Sequence, residues 1–189
     1  MSKITNNLLV NGARGNVGKQ FVYKKRGKNT HIARMPTIDE NAVPTENQVK
    51  VRDRFAEASL FAKGAIASPD LKGEYERKAP AGKTAFNMAF KDYLKAPVVK
   101  SINPGTYTGL AGSLISITAK DDFRVAEVLV SIRTATGELV EEGKAILNPI
   151  NLNLWIYTTV KANPSYAGGS ISATAKDIPG NEGKLDLTL

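Results

Sequence analysis

The spacing of apolar side chains changes once along the chain. Between residues 45 and 97 apolar residues recur at steps of three and four, the period of one face of a helix. After residue 97 they alternate with polar residues, which is the period of a half-buried strand. We therefore expect a hairpin-and-helix anchor domain at 1–97 and a strand-rich domain at 98–189, with the boundary between Ala96 and Pro104.

Three helices are predicted in the first part. The first follows the capping-box pattern of Thr45 to Gln48 and extends to about residue 67. The second follows the Ser68-Pro69 pair, and the third runs from about residue 83 toward Pro97. Their apolar faces consist of Val51, Phe55, Ala58 and Ala62, then Leu71 and Tyr75, then Phe86, Ala89, Phe90, Tyr93 and Leu94.

Residues 20–34 predict a β-hairpin ahead of the helices. Phe21 to Tyr23 form one arm and His31 to Ala33 the other. The segment Arg26-Gly27-Lys28-Asn29 supplies residues that tolerate a tight connection, so the tip of the hairpin is basic. The Gly-rich segment before it, residues 11–19, is predicted to be a turn.

The second part predicts an immunoglobulin-like β-sandwich, because about six or seven short strands with turn signals between them are typical of that fold. Trp155 is the expected large core residue. ISITAKD at 115–121 and ISATAKD at 171–177 agree at six of seven positions, and we expect them to be two strands of one sandwich that end in similar corners. The alternating apolar residues are Ile115, Ile117, Ala119, Val128, Val130, Ile132, Trp155, Tyr157, Ile171, Ala173 and Ala175. The predicted fold class is therefore α+β.

Two resemblances rest on these segments. The strands ending in AKD, the WIYTTV strand and the AKDIPGN corner resemble the bacterial immunoglobulin-like modules of surface and phage structural proteins, over residues 98–189. GARGNVGKQFVYKKRGKNTHIARMP followed by TENQVKVRDRFAEAS, with Gln48, Arg52, Arg54 and Phe55, resembles the opening of small uncharacterised proteins from Bacteroidetes bacteria and their phages, over residues 11–65. The second resemblance brings no catalytic residues and implies a non-enzymatic, virion-associated role.

The formal net charge of +8 is unevenly distributed. Residues 1–100 carry 19 Lys and Arg against 9 Asp and Glu, and residues 101–189 carry 7 against 9. The first 36 residues hold eight bases and no acid, which is typical of a segment that contacts a polyanion or an acidic protein surface. The alternative is a solvated edge whose charge prevents strand pairing. The expected contact residues are Arg14, Lys19, Lys24, Lys25, Arg26, Lys28 and Arg34.

The sequence offers few groups for catalysis. It contains no Cys and a single His, which excludes disulfides, thiolate zinc sites and paired-His metal sites. No acidic residue stands near His31 in the sequence, so a catalytic triad is not expected. Ala13 and Gln20 stand where a phosphate-binding loop at 13–20 would need Gly and Ser or Thr. We expect no catalytic residue and no cofactor.

Three carboxylates fall at the ends of the two similar strands. Asp121 and Asp122 follow the first strand, and Asp177 ends the second. They could converge at one end of the sandwich and hold Ca²⁺ through carboxylate oxygens. No spaced Asp/Asn loop accompanies them, so solvated turn charges are the favoured interpretation and no bound metal is expected, with the Ca²⁺ site left open.

These features favour a non-enzymatic structural protein that is part of an assembly. The basic N-terminal half would dock, and the immunoglobulin-like module would be presented. The resemblances imply the head-tail or tail region of a tailed phage, where many copies would form a ring by heterologous contact. The expected partners are therefore protein subunits of the same assembly, including further copies of the chain.

Two alternatives stay open. The first is a nucleic-acid-binding protein that uses the basic N-terminal segment, and the second is a surface adhesion module. The expected location is a virion assembled in the host cytoplasm, or otherwise the cytoplasm. No apolar run of about 20 residues and no signal-peptide core is present, so we expect neither a membrane span nor a standard export signal.

Overall fold

The structure is a computed structural model that describes residues 2–4, 10, 12–26, 29–37, 41–105 and 107–189, with residues 2–4 and 26 described by their backbone alone. The chain divides into two compact units, residues 1–45 and 46–189. Strands occur in both units and helices in the second, so the predicted mixture of α and β structure is confirmed.

The first unit contains a four-stranded antiparallel sheet with the strand order β1-β4-β3-β2. Its strands are β1 (Ser2–Ile4), β2 (Gly15–Val17), β3 (Phe21–Arg26) and β4 (Asn29–Arg34). The predicted hairpin is β3 and β4, and Gly27 and Lys28 of its tip lie outside the described residues. The Gly-rich segment contains β2 in addition to turns, which differs from the prediction of a turn alone. A turn at 18–20 joins β2 to β3, where Lys19 has a positive φ of 56° and its N–H donates to Asn16 Oδ1.

The three predicted helices are present as α1 (Glu46–Ala67), α2 (Pro69–Lys78) and α3 (Ala85–Tyr93). α3 is shorter than predicted at both ends. Thr84 caps its N terminus by accepting a hydrogen bond from the N–H of Asn87, and Leu94 is its C-cap, three residues before Pro97. On α1, the apolar face is buried only from Ala58 onward, whereas Val51 and Phe55 are exposed.

The second unit contains two four-stranded antiparallel sheets, with the orders β5-β6-β10-β9 and β12-β11-β7-β8. The strands are β5 (Val98–Asn103), β6 (Leu114–Lys120), β7 (Val125–Arg133), β8 (Leu139–Lys144), β9 (Ile146–Leu147), β10 (Leu154–Thr158), β11 (Ser170–Asp177) and β12 (Glu182–Thr188). Every alternating residue predicted to face the core is buried, and together they form one hydrophobic cluster shared by both sheets. The two similar heptapeptides are β6 with Asp121 in one sheet and β11 in the other.

The sheets approach each other closely where β12 passes the start of β5. A Cβ at Gly183 of β12 would overlap the carbonyl oxygen of Pro97, the residue before β5. The two backbones can lie this close only because residue 183 has no side chain.

The helices pack against the strand ends of the second unit. Phe123, which follows β6, is buried among Ala62, Ala65, Tyr75 and Ala89, and its ring stacks on that of Tyr75 at a centroid distance of 4.0 Å. Ile178, which follows β11, packs against the same cluster. The compact units therefore meet at 45/46, whereas the sequence places a domain boundary near residue 97. The change of apolar period separates the helices from the strands within the second unit, where the sheets enclose one hydrophobic cluster and the helices form a second one with Phe123 and Ile178.

A matched pair of glycine substitutions tests the close approach of β12. We expect Gly183→Ala to lower the free energy of unfolding by about 1–3 kcal/mol, because the new Cβ must displace backbone. Gly73→Ala in α2 has open space around its Cβ, and we expect it to raise stability by about 0.5–1 kcal/mol through helix propensity. Urea denaturation of both variants measures the two values. A neutral Gly183→Ala would contradict the close packing.

Candidate functional site

The predicted basic contact residues that the structure describes belong to the N-terminal unit, in strands β3 and β4 and in the segments on either side of β2. Arg14, Lys19, Lys24, Lys25 and Arg34 are exposed. Arg26 pairs by its backbone with Asn29 at the end of the hairpin, and Lys28 lies outside the described residues. Successive residues of a strand point to opposite faces, so the adjacent lysines 24 and 25 are on different faces. Lys24 and Lys25 therefore present charge on both faces of the hairpin, close to its tip.

One face of this sheet combines aromatic and basic side chains. Phe21, Tyr23 and Lys25 alternate along β3 and share a face, and Arg34 joins them because it pairs with Phe21. The two aromatic rings are half-buried and meet edge to face at 5.8 Å. Within the described part of residues 1–45, the one buried residue is Thr30. Both faces of the sheet are thus largely accessible.

A second cluster of charged residues lies in the other unit, where α3 meets the ends of β6 and β11. Asp92 of α3, Asp121 after β6 and Asp177 of β11 each bring a carboxylate oxygen within 4.8 Å of the other two. Asp92 is 1% exposed and Asp177 is 4% exposed. These are oxygen ligands of the kind that hold Ca²⁺ or Mg²⁺. The convergence of Asp121 and Asp177 agrees with their placement at equivalent strand ends.

Each of the two strand-end carboxylates closes a turn. Asp121 Oδ2 accepts hydrogen bonds from the N–H groups of Phe123 and Arg124, at 2.8 and 2.9 Å. Asp177 Oδ1 accepts from the N–H groups of Gly180 and Asn181, at 2.8 and 2.6 Å, and its Oδ2 accepts from Asn181 Nδ2. The similar corners predicted from the repeated heptapeptide are confirmed.

Asp92 contributes the most deeply buried carboxylate of the cluster. Its Oδ2 accepts a hydrogen bond from the hydroxyl of Tyr75 at 2.7 Å, whereas its Oδ1 has no hydrogen-bond partner. Asp121 Oδ1 is also buried without a partner. Burial, with the neighbouring charges of Asp121 and Asp177, raises the pKa of Asp92 to about 7, against the opposing effect of the Tyr75 hydrogen bond.

The same burial acts on the neighbours of Asp92. The pKa of Asp177 is raised by burial, although its hydrogen bonds from Asn181 and Gly180 oppose the shift. The pKa of the Tyr75 hydroxyl is raised by burial, by its hydrogen bond to Asp92 and by the surrounding carboxylates. The protonated forms of Asp92, Asp177 and Tyr75 are therefore favoured, which is the expected response of buried groups placed close to other carboxylates.

Asp122 does not belong to this cluster, which corrects the predicted grouping of Asp121, Asp122 and Asp177. Its carboxylate is 2.7 Å from Lys91 Nζ and 2.6 Å from Lys95 Nζ, at the surface. Hydrogen bonds from these two lysines hold the pKa of Asp122 below its usual range. The interpretation as solvated turn charge therefore suits Asp122 but not Asp92 or Asp177, which are buried.

Sequence reasoning identified two of the three clustered residues. The repeated heptapeptide signals Asp121 and Asp177, because equivalent strands in facing sheets end on the same side. Asp92 was missed, since it stands between Lys91 and Tyr93 on a short helix and nothing in that local pattern marks it as buried.

Comparison with known proteins leaves the family of the chain open. No protein-family model matches it, and no curated protein matches it. Among solved structures it is similar to CopC from Methylosinus trichosporium OB3b, with 20% identity and a TM-score of 0.35 over 49% of this chain and 91% of that one. It is also similar to an engineered protein, with 21% identity and a TM-score of 0.32 over 49% of this chain and 19% of that one. Likenesses at this level assign neither family nor function.

Among the residues that the structure describes, no helix is both long enough and apolar enough to cross a bilayer.

The buried Asp92 predicts that stability falls as the pH rises from about 5 to about 7. Its pKa of about 7 in the folded chain exceeds the unfolded value of about 4. The stabilising contribution is therefore complete below about pH 4 and is lost as the pH rises through 7. At about 1.4 kcal/mol per pKa unit, the loss between the two pH values is about 2 kcal/mol.

Urea denaturation of the wild type and of Asp92→Asn at both pH values measures this loss. EDTA in the buffer removes cations that would compete with the proton. The amide does not ionise, so the pH dependence of stability should be smaller in the variant, with a remaining part from Asp177, whose pKa is also raised. Equal pH dependence in the two proteins would show that Asp92 does not titrate in this range.

Proposed function

We propose that the protein is a non-enzymatic structural component of an assembly, in which copies of the chain dock through the N-terminal half. The observation that carries this proposal is on α1. Residues 46–57 of that helix are all exposed, although they include Val49, Val51 and Phe55. Three turns of helix without a buried side chain gain little stability from the rest of the unit.

The exposed part of α1 has apolar character on more than one side. Val51 is 57% exposed and Val49 41% exposed, and Leu60, farther along the helix, is 73% exposed. Phe55 is 51% exposed even though its ring contacts that of Phe90 at 5.3 Å. Several exposed apolar residues on one helix are typical of a surface that meets another protein.

The N-terminal sheet is a second incompletely covered surface. Isolated sheets gain independent stability by burying one face, and the described part of this unit buries Thr30 alone. Two different incomplete surfaces on the same chain fit a heterologous contact, in which one surface of a copy meets the other surface of the next. Contacts of this type that close produce rings.

We further propose that the presented part is an immunoglobulin-like module and that the assembly is a tailed-phage particle. The two four-stranded antiparallel sheets with Trp155 in their common core support an immunoglobulin-like module as the presented part. The resemblance of residues 11–65 and 98–189 to phage and bacterial proteins supports a place in the tail or head-tail region of a tailed-phage particle.

The assembly proposal predicts a discrete oligomer in solution. Light scattering of the full chain should give a mass that is a multiple of 20.3 kDa, with rings in negative-stain images. The double variant Val49→Lys/Leu60→Lys should dissociate it, because these two exposed residues lie on the same side of α1, about three turns apart, and the variant places two charges in that apolar contact. Ile150→Lys is the matched control, since Ile150 is 94% exposed but lies outside both surfaces. A monomer at every concentration and salt would overturn self-assembly.

Nucleic-acid binding is a second candidate, and the aromatic-basic face of β3 favours it. Phe21, Tyr23, Lys25 and Arg34 share that face, and aromatic rings beside cations are the groups that stack on bases and neutralise phosphates in single strands. Residues 1–45 hold eight Lys and Arg against two acids, a net of +6. This charge would attract a polyanion at low ionic strength.

This second candidate predicts binding of a single-stranded DNA oligonucleotide that weakens steeply with added salt. Fluorescence anisotropy with Tyr23→Ala/Lys25→Glu should show a loss of about tenfold or more, because one stacking contact and one phosphate contact are removed. The control variant Lys100→Glu/Lys161→Glu reverses the charge of two exposed lysines in the other unit. It should bind the oligonucleotide more tightly than Tyr23→Ala/Lys25→Glu does. Absence of binding by the wild type at low salt would eliminate this candidate.

A further inference from the structure

The carboxylate cluster has acceptor capacity that the described residues do not fill. Asp92 Oδ1 and Asp121 Oδ1 are buried and have no hydrogen-bond partner. Asp177 Oδ2 accepts a single hydrogen bond, from Asn181 Nδ2, and so retains a lone pair. One free or partly free oxygen is therefore present on each of the three side chains.

No cation of the described residues neutralises this cluster. The ion pairs of the second unit leave Asp92, Asp121 and Asp177 unpaired, and the nearby Lys91 and Lys95 are committed to Asp122. Lys78 Nζ donates to the carbonyl oxygen of Phe123. Burying a carboxylate without a compensating charge or hydrogen bond costs free energy. This cost is largest for Asp92, which is 1% exposed and has one oxygen without a hydrogen-bond partner.

From this arrangement we propose that Asp92, Asp121 and Asp177 bind a hard divalent cation, and that the ion is Ca²⁺. All three ligands are carboxylate oxygens, which select hard cations over those that prefer nitrogen or sulfur. Oxygens within 4.8 Å of one another can contact one ion at the Ca–O distance of about 2.3–2.6 Å. Ca²⁺ accepts an irregular shell of oxygen ligands, whereas Mg²⁺ demands near-ideal octahedral geometry, so ligands supplied by three separate elements favour Ca²⁺.

Asp121 is the least buried of the three proposed ligands. This half-buried residue lines two surface clefts, one beside Arg124 and Asn153 and the other beside Ala96 and Lys100. A cation bound by Asp92, Asp121 and Asp177 would join three elements, since these ligands come from α3, from the end of β6 and from the end of β11. The site would thus fasten the helices to both sheets.

The test uses the full chain after treatment with EDTA. Calorimetric titration and thermal unfolding are followed with CaCl₂, and with MgCl₂, MnCl₂ and ZnCl₂ as separate arms. We expect one Ca²⁺ per chain, a dissociation constant of roughly 10⁻⁵–10⁻³ M and a rise in Tm with Ca²⁺ concentration. Tighter binding of Mg²⁺ or Zn²⁺ than of Ca²⁺ would overturn the identity of the ion.

Three amide variants locate the site. Asp92→Asn and Asp121→Asn should weaken Ca²⁺ binding by about tenfold or more, because each removes one charged ligand. Asp122→Asn is the matched control, since Asp122 adjoins Asp121 in sequence but pairs with lysines at the surface, and it should keep the wild-type affinity. Equal affinity of Asp92→Asn and the wild type would overturn the site.

Thermal unfolding with and without Ca²⁺ separates loss of the cation site from a general loss of stability. In EDTA, Asp92→Asn should unfold at the wild-type Tm or above it, because an amide relieves the repulsion among the carboxylates. In Ca²⁺, the Tm of the wild type should rise by more than the Tm of the variant, because the variant binds the ion more weakly. A wild type with no Ca²⁺ response in either measurement would show that protons alone neutralise the cluster, and would overturn the proposal.

Discussion

The second unit depends on the way two strands of different sheets end at the same place. Asp121 and Asp177 each use a carboxylate to hold the backbone N–H groups of the residues that follow, which turns the chain sharply at the strand end. The turns direct Phe123 and Ile178 into the cluster formed by the helices. Tyr75 then completes the junction, because its ring stacks on Phe123 and its hydroxyl binds Asp92.

This junction places charge where a protein usually places apolar side chains. The cost of burying carboxylates is reduced by the hydrogen bonds that Asp121 and Asp177 accept, and by the uptake of protons or of a cation at the oxygens left over. Asn181 strengthens the link, since its side-chain amide donates to Asp177 Oδ2 and to the carbonyl oxygen of Tyr93 at the end of α3. The helices are therefore attached to the sheets by polar contacts as well as by the apolar cluster.

Much of the fold follows from local patterns in the sequence. The alternation around Ile117, Val130 and Ala173 predicts strands with one buried face, and those residues are fully buried. The limits of α1 follow from the residues at its two ends, Thr45 before it and the Ser68-Pro69 pair after it. The repeated heptapeptide carries information about three-dimensional proximity, because two strands with the same sequence end at the same edge of their sheets.

What local patterns cannot predict is contact between distant parts of the chain. Asp92 is far from Asp121 and Asp177 in sequence, and its burial depends on how α3 lies against the strand ends. The packing of helices on sheets likewise depends on Phe123 and Ile178, which look like ordinary turn residues in the sequence. The faces on which Lys24 and Lys25 lie do follow from the sequence once β3 is predicted, because adjacent side chains of a strand point in opposite directions.

The two proposals share a physical basis, since each concerns groups whose environment within a single chain is incomplete. Val51 and Leu60 expose apolar surface that water solvates poorly, and a second copy of the chain would cover it. Asp92 and Asp121 bury oxygens that lack a donor, and a cation would satisfy them. The first requirement concerns the exposed apolar residues of α1 and the second concerns the strand ends, so either can be met without the other. A cation that fastens the helices to the sheets would nevertheless hold the C-terminal part of α1 in place, and would so provide a firm base for the exposed turns that make the contact.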